Sequence, residues 1–170
     1  SASGGLRMKR IAPVFLMLIF LLPAFAQQSR TAALREKFTR ETNPVHKAKD
    51  MQALGDAEFH DLQAELSAGN LSGALAILQQ YRDEVNTAWK GLDANEHDPD
   101  KHSGGYKELE ISVRETLGRL DEALVPMTAD QQKPFLGIRK ELDSTDHRLI
   151  HELFPRQPGA QGAGTAGLKP

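Results

Sequence analysis

Cysteine is absent from the chain. Its absence excludes disulfides, thiolate-held zinc, iron–sulfur clusters and thiol nucleophiles. Aromatic residues are scarce, at 6% with one Trp and two Tyr, so a core has to be built from Leu, Ala, Ile and Val. Charge of neither sign dominates: 21 Lys and Arg oppose 23 Asp and Glu, a formal charge of −2 with a pI of about 6.3. That balance argues against a dedicated nucleic-acid binder. Alternating apolar and polar stretches of useful length are missing too, which leaves little room for strands. What is there is a chain of 170 residues, 39% hydrophobic and 26% charged. Such a composition belongs to a polar-surfaced globular protein of one domain with tails.

The first segment with a pattern begins at Met8. Residues 1–7 carry none and are read as lying upstream of the start. Lys9 and Arg10 form a positive region, Ile11 to Leu22 is an apolar run containing Pro13, and Ala24-Phe25-Ala26 is a small-x-small cleavage site. The apolar stretch to Ala26 is about 16 residues, short of the ~20 that span a bilayer core as a helix. Residues 1–26 are therefore expected to be upstream residues and a cleavable signal peptide, with Gln27 as the mature N-terminus. An uncleaved signal anchor is the alternative. With no Cys after the apolar run, a lipid-anchored lipoprotein is excluded. Cleavage removes Arg7, Lys9 and Arg10 and no acid, leaving 18 basic against 23 acidic side chains and a formal charge of −5.

From Ser29 to Phe154 the period is helical. A short first helix is expected from Ser29 to about Arg40, with Leu34 and Phe38 one turn apart. Asn43 caps a second helix, with Pro44 at its first position, running to Ser67. Val45, Ala48, Met51, Gly55, Phe59, Leu62 and Leu66 form its apolar face. Gly69-Asn70 stops that helix and starts a third, from about Leu71 to Leu92. Its stripe is Leu71, Leu75, Leu78, Val85, Trp89 and Leu92, with Tyr81 or Arg82 filling the gap. Asp93 to Gly105 reads as a polar loop with Pro99 and a Gly104-Gly105 pair. The fourth helix is placed at Tyr106 to Val125, on Leu109, Val113, Leu117, Leu120 and Leu124. Thr128 opens the fifth, whose face is Phe135, Ile138, Leu142, Leu149 and Leu153. Pro134 lies in its first two turns, and Pro155 stops it. The fold class is all-α: an antiparallel bundle of about four long amphipathic helices plus a short N-terminal helix, over residues 27–155. Residues 156–170, rich in Gly, Ala and Pro, read as a disordered tail.

Two local patterns resemble known families. Leu54-Gly55, Gly69-Asn70 and Ala74-Leu75 resemble a tetratricopeptide hairpin, in which small residues let two helices approach closely. The spacing between Gly55 and Ala74 is about two turns longer than that family's period, and only one copy is present. The stretch is read as shared hairpin physics and implies no peptide groove. Met127-Thr128-Ala129-Asp130-Gln131 resembles the Leu-Thr-x-x-Gln signature of small Spy-like periplasmic chaperones, with Met in place of Leu. A capping box explains Thr128 and Gln131 equally well.

No catalytic, cofactor-binding or metal residue is assigned, and the chain is not expected to be an enzyme. The metal pair worth testing is His147 and His151, four apart on the fifth helix, with Asp143 one turn earlier. Two imidazoles need a third ligand to hold Zn²⁺, and a solvated helix face is the plainer reading. His46 and His60 are too far apart to pair. His97 and His102 sit in an Asp-rich stretch that lacks the Gly and Glu of an EF-hand. Trp89 is expected in the core. The charge runs Arg35-Glu36-Lys37 and Arg139-Lys140-Glu141 are expected to be ordinary helix faces with local ion pairs.

These readings give an exported, non-enzymatic protein-interaction module of the cell envelope, periplasmic or secreted, with a protein partner. It would have no nucleic-acid partner and no membrane span once the signal is removed. A Spy-like chaperone or metal-responsive accessory protein is the alternative. Mass spectrometry of the exported protein is expected to return Gln27 as the N-terminal residue. A chain beginning at Met8 and integrated in the membrane would contradict this.

Overall fold

A computed structural model describes residues 22–94 and 99–154, with side chains described for 30–94 and 103–154. Five α-helices account for nearly all of them: α1 Leu22–Arg40, α2 Pro44–Ser67, α3 Leu71–Asp93, α4 Pro99–Leu124 and α5 Ala129–Leu153. The chain is an all-α helical bundle. No described helix is long and apolar enough to cross a membrane. The expected signal segment up to residue 21, the stretch 95–98 with His97, and the expected tail from Pro155 onward lie outside the described residues.

The helix starts follow their caps. Asn43 accepts from the backbone N–H groups of Val45 and His46, with Pro44 in the first turn of α2. Asn70 caps α3 by accepting from Gly73 N. Between these two helices Gly69 takes φ +75°, a left-handed conformation that a side chain would strain. Thr128 and Gln131 form a reciprocal capping box on α5. That helix runs unbroken through Pro134.

Two starts differ from the sequence expectation. α1 begins at Leu22 rather than Ser29, so the expected cleavage point after Ala26 falls inside it. No breaker lies between Pro23 and Arg40. α4 begins at Pro99 rather than Tyr106 and takes in the Gly104-Gly105 pair. Gly105 has a packing reason to be helical. A Cβ there would lie 2.6 Å from Leu92 Cδ2 and 3.4 Å from the Val45 backbone, so the missing side chain lets α4 close onto α2 and α3.

Consecutive helices alternate in direction. α2 packs on α3 and α4, and α5 packs on both of those, which closes a four-helix ring. α1 lies outside this ring, against α2. Within the ring α2 and α4 run side by side in the same direction, since Val45, Met51 and Asp56 meet Gly105, Ser112 and Arg119 in order. The core is the set the periodicity names, including Met51, Phe59, Leu62, Leu78, Val85, Leu92, Leu109, Val113, Leu120, Phe135, Leu142 and Leu149. Tyr81, not Arg82, fills the gap on α3. Gly55 makes room for it, because a Cβ there would sit 2.8 Å from the Tyr81 ring.

Trp89 is a correction. It is half-buried at the core's edge, stacked edge-on against Tyr106 with centroids 5.7 Å apart. The charge runs pair locally in part, Glu36 with Arg40 one turn on, and also tie helices together. Arg139 holds Asp121 of α4 through two bonds, at 2.5 and 2.8 Å, and Glu141 accepts from Arg82 of α3 at 3.1 Å. In urea unfolding, Phe135→Ala is expected to cost about 3–5 kcal/mol, the range for a buried large aromatic. Trp89→Ala should cost less than half as much. Equal losses would place Trp89 in the core after all.

Candidate functional site

Three charged side chains meet where α1 crosses α2 and α3. Glu58 lies on the apolar face of α2, three residues after Gly55 and four before Leu62. Glu84 lies on the buried face of α3, three residues after Tyr81. Both are almost wholly enclosed, at 1% and 5% exposure. Arg35, between Leu34 and Phe38 on the inner face of α1, reaches both. Its Nη2 bonds Glu58 Oε1, and its Nε bonds Glu84 Oε1 at 3.0 Å. Gln80 Nε2 adds a 2.8 Å bond to the same Glu84 oxygen. On either side, Thr31 donates to Asp61 at 2.7 Å and Lys37 to Asp50 at 2.6 Å. α1 is thus fixed along its length by polar contacts to acidic partners.

The charge count is uneven, with two enclosed carboxylates facing one guanidinium. Burial raises the Glu58 carboxyl first, and the neighbouring Glu84 raises it further. Arg35 opposes both and loses, leaving Glu58 at about 8. Glu58 therefore keeps its proton at neutral pH, and one guanidinium then faces one carboxylate. The second oxygens of both glutamates are buried as well, and the proton on Glu58 can be shared with Glu84. Next to Glu58 is a void of about 10 Å³ lined by Gly55, Phe59, Leu62, Leu78, Tyr81 and Thr116 among others, room for about one water. Tyr81 closes its far side. Burial pushes that phenol up to about 12, so it stays a hydroxyl, and it donates to Ser112 O at 3.2 Å. Chemically the cluster can hold a proton, accept a further cation, and bind α1. A shallow depression of about 410 Å³ on the outer side of α1, lined by Ala33, Glu36, Lys37, Arg40 and Glu41, has no enclosed polar group.

The residues that the sequence offered as a metal pair lie elsewhere. His147 and His151 are exposed on the outer side of α5. The His147 imidazole stands 3.7 Å from the Asp143 carboxylate and 2.9 Å from its backbone oxygen, while His151 lies 3.6 Å from Glu152. Among the described residues no three His, Asp or Glu side chains converge as a metal site would require. His46 and His60 sit apart on α2, beside Glu41 and Asp61. His102 falls within α4, with its side chain outside the described set. Thr128 and Gln131 bond to each other's backbone as a cap.

Sequence reasoning missed Arg35, Glu58 and Glu84. Periodicity did contain a signal, since each falls on the inward stripe of its helix while carrying a charge. No family model matches the chain, and no solved structure matches it with significance.

The raised Glu58 has a signed consequence. Its contribution to stability is fully present below the ordinary value of 4.5 and is lost as pH rises through about 8. Unfolding measured from pH 4.5 to 9 should show stability falling across that window, and Glu58→Gln should flatten the fall. An unchanged slope in Glu58→Gln would show that the proton is not held there.

Proposed function

We propose that the protein is an exported, non-enzymatic helical module that acts by binding a protein partner in the cell envelope. The observation that carries this reading is the outer face of α5. Leu136, Ile150 and Phe154 are 45%, 40% and 74% exposed. Leu136 and Ile150 are about four turns apart on nearly the same side of the helix, and Phe154 follows as its C-cap. Lys140, Asp143 and His147 fill the turns between them. Apolar anchors separated by charged residues on one helix face form a pattern suited to recognition by another protein. At the turn before α5, Val125 adds a further exposed apolar side chain, at 78%. The signal-like sequence at Met8 to Ala26 supports export.

Site-specific photo-crosslinking in the producing cell tests the reading. A photoreactive residue at position 150 or 154 is expected to trap one discrete envelope protein, and one at Gln63, on the exposed side of α2, is not. Ile150→Glu with Phe154→Glu should abolish the adduct while changing stability by no more than about 0.5 kcal/mol per site, as for surface positions. Equal trapping at all three positions, or trapping at none, would defeat the proposal.

A further inference from the structure

The outer face of α5 has an order as well as a composition. Leu136, Lys140, Asp143, His147, Ile150 and Phe154 follow one another at steps of four, three, four, three and four residues. That is the spacing of a coiled-coil seam, which keeps one narrow line of side chains facing a partner helix. Phe154 extends the line as the C-cap. All six reach solvent. Leu136, Ile150 and Phe154 are 45%, 40% and 74% exposed, Lys140 is exposed, and the Asp143 and His147 side chains are 43% and 73% exposed. The core is on the other side of the helix, at Ile138, Leu142 and Leu149.

The spacing is the same read in either direction, and the chemistry complements its own reverse. Apolar side chains stand at both ends, and an acid and an imidazole flank the centre. Two copies laid antiparallel about a two-fold axis level with Thr145 bring Leu136 of each to Phe154 of the other. The same pairing brings Asp143 of each to His147 of the other, with Lys140 level with Ile150. Each contact then occurs twice, as an isologous interface requires. At the centre the Asp143 carboxylate accepts from an imidazole N–H. A parallel pair would instead set Asp143 against Asp143, a like-charge contact that disfavours it. Antiparallel alignment also places the N-terminal end of each helix beside the C-terminal end of the other, where their partial charges attract. With 21 basic and 23 acidic side chains on the chain, two copies carry little net repulsion.

We propose that the occupant of the α5 face is a second copy of this chain, docked antiparallel through this line of six side chains. The proposal rests on the reading of α5 as a binding face and names the partner. One helix from each copy makes a small contact, toward the low end of specific interfaces at about 1,200 Å². Monomer and dimer therefore exchange, with dissociation in the range of about 10 μM.

Sedimentation equilibrium of the full chain, from tenfold below to tenfold above that concentration, is expected to show the mass rising from one copy to two. Leu136→Glu leaves the core untouched and should weaken association at least tenfold. The chain has no cysteine, so introduced ones report the register. A mixture of Leu136→Cys and Phe154→Cys chains should form a disulfide between them at least tenfold faster than either chain forms one with itself. Like positions are about 27 Å apart along the paired helices, because 18 residues separate them at 1.5 Å each. A chain that stays monomeric throughout would overturn the proposal. So would association unchanged by Leu136→Glu, or self-cross-linking by Leu136→Cys as fast as the mixture. The photo-adduct formed at 150 or 154 keeps this failure apart from failure of the α5 reading. An adduct with a protein other than this chain retains the binding face and removes the second copy as its occupant.

Discussion

The guanidinium of Arg35, held between Glu58 and Glu84, is the contact on which the placement of α1 depends. Two acids enclosed between helices bear a large desolvation cost as carboxylates, which the proton on Glu58 and a counter-charge both reduce. Arg35 offsets part of that cost and in doing so stitches three helices at one point. Removing one partner of a fully buried ion pair costs about 3–5 kcal/mol. Arg35 keeps a solvent-facing side, at 38% exposure, which moderates the value here. Thr31 with Asp61 and Lys37 with Asp50 add polar ties, and Phe38, buried in the core, adds an apolar one. Among the described residues α1 is therefore held by a polar seam around one large apolar anchor.

The remaining four helices stand on different physics. Their cohesion comes from a continuous apolar core and from glycines placed where two backbones must approach. Gly55 admits the Tyr81 ring and Gly105 admits Leu92. Tyr81 then donates its hydroxyl to Ser112 O, and Ser112 in turn bonds Met51 O at 3.3 Å. That chain links α3, α4 and α2 through satisfied polar groups, which specify position without leaving a charge buried. Inter-helix ion pairs such as Arg139 with Asp121 lie at the rim, where solvent weakens them. The bundle thus divides into a hydrophobic ring and a polar strap.

Much of this was legible in the sequence. Asn43-Pro44, Gly69-Asn70 and Thr128 with Gln131 marked helix starts because capping chemistry is local. The stripes from Ala48 to Leu62 and from Leu109 to Leu124 marked the core because burial repeats with the helical period. The reading failed where tertiary packing overrode a local rule. Gly104-Gly105 looked like a loop because glycine is a poor helix former, yet Gly105 is helical and packs closely against Leu92 and Val45. Trp89 looked like core by its register but sits at the bundle's edge, where α4 begins. Arg35, Glu58 and Glu84 were hidden for a related reason. A charge on an apolar stripe is sequence-visible, but its partner lies on another helix and no spacing rule connects them. The pairing of α2 with α4 in parallel was beyond period and loop length altogether.

Amide hydrogen exchange on the chain tests this division most directly. With α1 held on one side, by this cluster and Phe38, and the ring by its core, residues 30–40 should exchange through a local opening, well before the amides of α2 to α5. Arg35→Ala should speed α1 further while leaving protection at the centres of α3 and α5 unchanged. Exchange of α1 at the same rate as the core, in both proteins, would mean that the helix folds and unfolds with the ring and that Arg35 does not govern it.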